Sequence, residues 1–294
     1  MLKNIIKWVI CDLDGTLLRY ENFNHVIDKK AINTIASLEN KNIEFTIATG
    51  RHYKDALKIC INNDLIKEHT NYIIGSNGGI IFDIKKQEII YQKLISKDHL
   101  ETSLKIFNYL QNKKLQILLA GYHLNRNIVF APGIKTKRNL VNEFLNYEGH
   151  FSTFEFNESK NFIEEKEILK TIFFFDQEQV KNPISIKKIF DEIINEFSLN
   201  MNDLTITSLQ TIEYNPSGVS KGNAAKMLSK LLKIDLDQTL SIGDSGNDIS
   251  MFNVTKYSAT LNSSLDSVKS KATKIFLSEA SEIVADAINY FLKQ

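Results

Sequence analysis

At 294 residues the chain exceeds the usual size of a single hydrophobic core, which points to two domains. An apolar fraction of 43% and a charged fraction of 24% are those of an ordinary soluble protein, and 36 Lys and Arg against 35 Asp and Glu give a net charge of +1. That balance removes the electrostatic case for a nucleic-acid or membrane partner. Two cysteines, Cys11 and Cys60, show no pairing pattern, which suggests a reducing, cytoplasmic setting and argues against a disulfide framework or a zinc site. The apolar amino-terminal run is broken by Lys7 and stopped by Asp12, so it fails as a signal peptide, and no stretch approaches the roughly 20 apolar residues of a membrane span.

The run Trp8-Val9-Ile10-Cys11 ends in Asp12-Leu13-Asp14-Gly15-Thr16, and reads as a buried strand that leaves its sheet in a tight turn. Both carboxylates then sit at a strand's C-terminal end, where open α/β sheets bind ligands. They could face a cation there, and Gly15 would let the backbone approach a phosphate. A calcium-loop reading fails, because Gly15 is fourth where that loop needs its sixth, and the twelfth residue is Phe23.

Asp28 can cap a helix carrying Ala31, Ile32, Ile35, Ala36 and Leu38, and the strand Ile43 to Ala48 follows and closes in Thr49-Gly50-Arg51. A right-handed crossover brings Thr49 to the same sheet edge as Asp12. Its hydroxyl, with the backbone amides that follow, can bind phosphoryl oxygens. A helix over Tyr53 to Asn62 leads to the strand Tyr72-Ile73-Ile74, which ends in Gly75-Ser76-Asn77-Gly78-Gly79; the glycine spacing is wrong for a dinucleotide fingerprint.

From about Lys85 to Thr211 the pattern changes. Helices over Lys97 to Asn112, near Lys135 to Leu145 and over Pro183 to Phe197 alternate with strands Leu115 to Gly121, Ile128 to Ala131, Glu167 to Phe175 and Leu204 to Ile206. None of these strands ends in a carboxylate motif, so this stretch reads as a second, α+β domain. Gly121, Tyr122, His123, Arg126, Lys135, Lys137 and Arg138 are candidate substrate contacts there, though any one polar loop residue is more often simply solvated. The stretch Asn157 to Lys166 reads as an exposed loop.

The first domain is expected to resume at Ile212. Pro216 and Gly218 mark a turn, and Ser220 can cap a helix that buries Ala224, Ala225, Leu228, Leu231 and Leu232. Lys221 then stands at a helix N-terminus, where the dipole disfavours a cation unless an anion lies near. The strand Thr239 to Ile242 runs into Gly243-Asp244-Ser245-Gly246-Asn247-Asp248, placing two more carboxylates at a strand end. With Asp12 and Asp14 they form an acidic cluster that repels itself without a cation. A last strand, Tyr257 to Leu261, and an amphipathic helix, Ile283 to Leu292, close the chain.

Asp12-Leu13-Asp14-Gly15-Thr16 resembles the first motif of the haloacid dehalogenase-like hydrolases, which are mostly Mg²⁺-dependent phosphatases. Thr49-Gly50-Arg51, the Ser220-Lys221 stretch and Gly243 to Asp248 resemble their second, third and fourth motifs, and Arg51 and Asn77-Gly78-Gly79 have the form of the Cof-type subgroup with a type IIB cap. The resemblance implies a Rossmann-like parallel-sheet core over 1–84 and 212–294, with an inserted α+β cap over 85–211. It further implies Asp12 as nucleophile, Asp14 as general acid and base, and Thr49, Gly50, Lys221 and Asn247 as the phosphate-binding set. Mg²⁺ would be held by Asp12, the backbone carbonyl of Asp14, Asp244 and Asp248, with Arg51 and Asn77 as substrate contacts. The expected partner is a small phosphorylated metabolite, with no nucleic acid or membrane, and the protein is expected to be a monomer or a weak homo-oligomer. A sugar phosphomutase and a non-catalytic metabolite-binding regulator are the competing readings. A Ser-His-Asp hydrolase is not supported, because no Gly-x-Ser-x-Gly elbow occurs.

Overall fold

The computed structural model describes residues 6–21, 24–125, 127–131, 138–148, 153–156 and 160–293. The candidates Arg126, Lys135 and Lys137 and the first three residues of the expected loop at 157–166 lie outside them. The chain begins with β1 (Trp8–Cys11), a short hairpin of β2 (Arg19–Glu21) and β3 (Asn24–Val26), α1 (Lys29–Glu39), β4 (Glu44–Ala48), α2 (Tyr53–Asn62), β5 (Tyr72–Gly75), β6 (Ile80–Asp83) and β7 (Glu88–Gln92). It continues through α3 (Lys97–Asn112), β8 (Ile117–His123), β9 (Asn127–Phe130), α4 (Arg138–Glu148), β10 (Thr153–Phe156), β11 (Ile168–Phe175), α5 (Pro183–Phe197), β12 (Leu204–Ser208) and β13 (Thr211–Tyr214). It ends with α6 (Lys221–Leu232), β14 (Thr239–Ile242), α7 (Ile249–Phe252), β15 (Tyr257–Leu261), α8 (Asp266–Lys269), β16 (Lys274–Phe276) and α9 (Glu282–Leu292).

These elements form two compact units, one of residues 1–92 and 220–294 and the other of residues 93–219. The division falls at 92/93 and 219/220, not at the expected 84/85 and 211/212. The reason is strand pairing. β7 stays on β6 at the edge of the first sheet, and Thr211–Tyr214 pairs with β11 and β12, so the first unit does not resume at Ile212.

In the first unit an eight-stranded sheet runs in the order β16-β15-β14-β1-β4-β5-β6-β7. All pairs from β16 to β5 are parallel, and β6 and β7 are antiparallel additions. β1 is fully buried because both neighbours are parallel strands and helices cover the faces, which is why it reads as an unbroken apolar run. Trp8, Ile10, Ala48 and Ile74 pack there with Ala224, Ala225 and Leu228 of α6 and Met251 and Phe252 of α7. Asp28 caps α1 by accepting from the Lys30 N–H, and Ser220 caps α6 by accepting from the Asn223 N–H, both as the sequence predicts. Parallel strands all point their C-terminal ends the same way, so β14, β1, β4 and β5 release their loops side by side.

The second unit is an α+β body with a six-stranded sheet in the order β10-β9-β8-β11-β13-β12. α3 packs on its strands, and the Ser103 and Thr171 hydroxyls share a buried hydrogen bond of 2.9 Å between helix and sheet. Lys170 and Glu213 form an ion pair of 2.6 Å, buried on adjacent strands. The architecture is thus a parallel-sheet α/β core with an inserted α+β domain. Among the described residues no helix is long and apolar enough to cross a membrane.

Candidate active site

The loop after β1 begins as an extension of the sheet, the Asp12 N–H donating to the Ile242 carbonyl at 2.9 Å. Gly15 then turns with φ of 74°, and a Cβ there would lie 2.6 Å from Asp244 Oδ2. Only glycine satisfies both the left-handed backbone and that close approach. The next residue, Thr16, donates from Oγ1 to Asp244 Oδ1 at 2.7 Å, so two residues of this loop fix the carboxylate that arrives from β14.

Lys221 lies at the start of α6, buried, and its ammonium donates to Asp12 Oδ1 at 2.5 Å and Asp248 Oδ1 at 2.7 Å. These two anions resolve the unfavourable encounter between a cation and a helix N-terminus. Asp248 uses its other oxygen, Oδ2, to accept from the backbone N–H groups of Asp244 and Ser245, both at 3.0 Å. Its side chain therefore closes the β14 loop on itself and ties that loop to α6. Gly243 is forced by the same arrangement, since a Cβ there would lie 2.3 Å from the Asp248 Cγ.

On the other side of β1, the buried Thr49 accepts at Oγ1 from the Arg51 N–H at 3.1 Å, and its carbonyl accepts from the Asn77 N–H at 3.0 Å. Asn77 has φ of 57°, and its Oδ1 accepts from Asn247 Nδ2 at 3.0 Å, which joins the loops after β5 and β14. Arg51 turns to Asp14, with Nε donating to Oδ2 at 2.6 Å and Nη2 to Oδ1 at 2.5 Å. This is a two-pronged guanidinium–carboxylate pair, and the Asp14 side chain is 46% exposed.

Asp12, Asp244 and Asp248 each bring a carboxylate oxygen within 4.8 Å of the others. Asp14 contributes no carboxylate to this group. Against three carboxylates stands one buried ammonium, so the cluster carries surplus negative charge in a desolvated place. Burial, and then the Asp248 charge, push the Asp12 carboxyl well above the usual carboxylate range. Burial and Asp248 likewise push Asp244 up to about 6. Burial alone would lower the Lys221 ammonium, but the charges of Asp12 and Asp248 outweigh it and raise its pKa. An all-oxygen donor set with excess negative charge fits a hard divalent cation of the Mg²⁺ kind.

The structure thus brings Asp12, Asp14, Thr49, Gly50, Arg51, Asn77, Lys221, Asp244, Asn247 and Asp248 to one sheet edge. Arg51, expected as a substrate contact, is engaged here with Asp14, and the anions that the helix N-terminus calls for beside Lys221 are two carboxylates. Thr16 and Ser245 stand within the quoted motifs but carry no role in the reading by sequence, although each is a small hydroxyl residue beside a motif carboxylate, and that proximity is the available signal. Ser245 donates from Oγ to Asn247 Oδ1 at 2.7 Å.

The sequence matches the haloacid dehalogenase-like hydrolase family over residues 9–288, and the chain belongs to that family. A Mycoplasma pneumoniae protein with a provisional phosphatase name is 30% identical over 98% of this chain and 96% of its own. A Bacillus subtilis protein named 5-amino-6-(5-phospho-D-ribitylamino)uracil phosphatase is 26% identical over 98% of each chain. Among solved structures, the subclass IIB sugar phosphatase BT4131 superimposes with a TM-score of 0.75 at 19% identity, over 97% of this chain and 98% of its own. That likeness extends the shared fold over the inserted domain as well as the core.

Proposed function

We propose that the protein is a Mg²⁺-dependent phosphatase of small phosphorylated metabolites, sugar phosphates or similar phosphomonoesters, acting through an aspartyl-phosphate on Asp12. The observation that carries this reading is the convergence of the buried Asp12, Lys221 and Asp248 and the half-buried Asp244 in one cluster at the strand ends and the start of α6. The names of the relatives support the reaction class, and two of them act on small phosphorylated compounds.

In this mechanism Asp12 keeps Oδ1 on Lys221 and attacks phosphorus with Oδ2, in line with the departing oxygen. Lys221 orients the nucleophile and offsets the charge of the phosphoryl group, and the Thr49 hydroxyl, the Gly50 amide and Asn247 bind its oxygens. Asp12, Asp244 and the Asp14 carbonyl, with Asp248 in support, would hold a Mg²⁺ ion, which would supply charge neutralisation. Because both oxygens of Asp248 are already used by Lys221 and the loop amides, its main part is to hold the others in place. Asp14 protonates the leaving oxygen and later deprotonates the water that hydrolyses the intermediate. To do so it must leave its pair with Arg51, so Arg51 contacts substrate only as Asp14 is released.

The test is phosphate release from a panel of sugar phosphates, nucleotides, pyridoxal phosphate and the ribitylaminouracil phosphate, with Mg²⁺ or with chelator, for wild type and Asp12→Asn. The proposal expects Mg²⁺-dependent release that Asp12→Asn abolishes. Turnover by Asp12→Asn, after deamidation is ruled out by mass, overturns the aspartyl-phosphate route. Retention of the phosphoryl group on a sugar bisphosphate would make the protein a mutase, and a folded protein that releases phosphate from nothing would make it a regulator.

A further inference from the structure

One buried residue outside every motif reaches the site through strained backbone. Ser281, at the N-terminal boundary of α9, has φ of 73° and ψ of −47°, a region that residues with a Cβ avoid. It is fully buried and makes no side-chain cap to its own helix. Its carbonyl accepts from the Val284 N–H at 3.3 Å, but its N–H and hydroxyl go elsewhere. The Ser281 N–H donates to the Thr16 carbonyl at 2.6 Å, and its Oγ accepts from the Asp28 N–H at 2.6 Å.

Thr16 and Asp28 are the two ends of the excursion that carries β2 and β3, so one residue staples both roots of that hairpin. Thr16 in turn donates its hydroxyl to Asp244 Oδ1. A carboxylate is free to spin about its last bond, and a single well-placed donor decides which oxygen faces the cluster. Strain that persists in a buried residue is held there by surrounding contacts, and such outliers concentrate where geometry matters for function.

We propose that Ser281 is a positioning residue for the cation site: its hydroxyl, seated on the Asp28 N–H, holds its backbone N–H on the Thr16 carbonyl, and Thr16 aims the Asp244 carboxylate. The inference rests on the reading of Asp12, Asp244 and Asp248 as a divalent-cation site. An ordinary structural clamp would affect stability alone, whereas a positioning residue affects how tightly the cation binds.

The two are separated by titrating the metal-stripped protein with Mn²⁺ and following free ion by electron paramagnetic resonance, which reads binding without turnover. Ser281→Gly removes the hydroxyl and relieves the backbone at once, so its melting temperature stays close to wild type while its Mn²⁺ affinity falls roughly tenfold, the order seen when a residue supporting a metal ligand is lost. Thr16→Val is expected to weaken binding at least as much, and the double variant no more than Thr16→Val alone, because the two act in series. Ser281→Ala keeps the strained backbone and loses the hydroxyl, so its melting temperature falls, but the same roughly tenfold loss of Mn²⁺ affinity is expected of the folded variant, which serves as a second test. Wild-type affinity in the Ser281 variants, or losses that simply add, overturns the proposal. If the wild-type protein itself binds no Mn²⁺, the cation reading falls first and this inference with it.

Discussion

Replacing Lys221 by Met keeps most of the side-chain volume and removes one charge, and its consequence follows from the ion pairs at 2.5 and 2.7 Å. Asp12 and Asp248 would remain buried with no cation against them. Removing one partner of a buried pair costs about 3–5 kcal/mol, and because one ammonium here serves two carboxylates the upper end applies. The variant has one escape, which is to take up a proton. Burial and Asp248 already push the Asp12 carboxyl up, and Lys221 is what holds it down, so its loss raises that carboxyl further. A carboxyl with a raised folded pKa makes the folded state bind more protons than the unfolded one, so the penalty shrinks on acidification, by up to about 3 kcal/mol between pH 8 and 5.5 for one proton. Trp8, the one tryptophan of the chain, is buried in β1, so its fluorescence in urea, with chelator present, reports this unit and not the inserted one. A loss below about 1 kcal/mol at pH 8, or one that grows as the pH falls, would refute the electrostatic account.

Other expectations are as direct. Asp244, held at about 6 by burial and Asp248, contributes stability that is present below its ordinary range and lost as pH rises through 6, about 3 kcal/mol in all. Urea titrations in chelator at pH 4.5 and 7.5 will show a steeper slope in wild type than in Asp244→Asn, where the raised Asp12 carboxyl still contributes, and Mg²⁺ will stabilise more at the higher pH. In the second unit, His99 stacks on Tyr214 with ring centroids 3.6 Å apart, and burial pushes its pKa down to about 4. The unfolded chain therefore binds the extra proton, and stability falls as pH drops from about 6.5 toward 4, by about 3 kcal/mol, a loss that His99→Phe removes when circular dichroism follows unfolding. Gly243→Ala drives a methyl against a carboxylate already fixed by Lys221 and two amides; a loss of about 1–3 kcal/mol with collapse of phosphate release is expected, and an active variant with an unchanged melt would contradict the geometry. Asp14→Asn should slow turnover by roughly 10² to 10⁴ while leaving the Mn²⁺ titration unchanged.

What the sequence discloses is what local pattern encodes. The bounds of α2, α3, α5 and β15 agree with the reading by sequence, because each carries a full apolar stripe or a buried β-branched run between clear stops. β2, β3 and β16 are three residues long and carry no period to detect. The sequence reads as returning to the core at Ile212, since an apolar strand does not declare its partners, yet β11 claims Thr211–Tyr214 across the second sheet. The same limit governs the site. Its carboxylates are legible because each follows a strand end, but the pairing of Arg51 with Asp14 and of Lys221 with Asp12 spans 37 and 209 residues, and no local signal ranks such partners.

The position of β1 in the sheet has a consequence for biosynthesis. Its parallel neighbour β14 is more than two hundred residues away, with Trp8 paired to Thr239, while the inserted unit is a single uninterrupted stretch. On the ribosome the inserted unit is complete before α6 and β14 are made. At about 5–20 residues per second, β1 waits roughly ten seconds or more with one flank unpaired and its apolar residues uncovered. The strand that carries Asp12 is therefore left exposed in the nascent chain, and Asp12 cannot meet Lys221 until 209 further residues have been made.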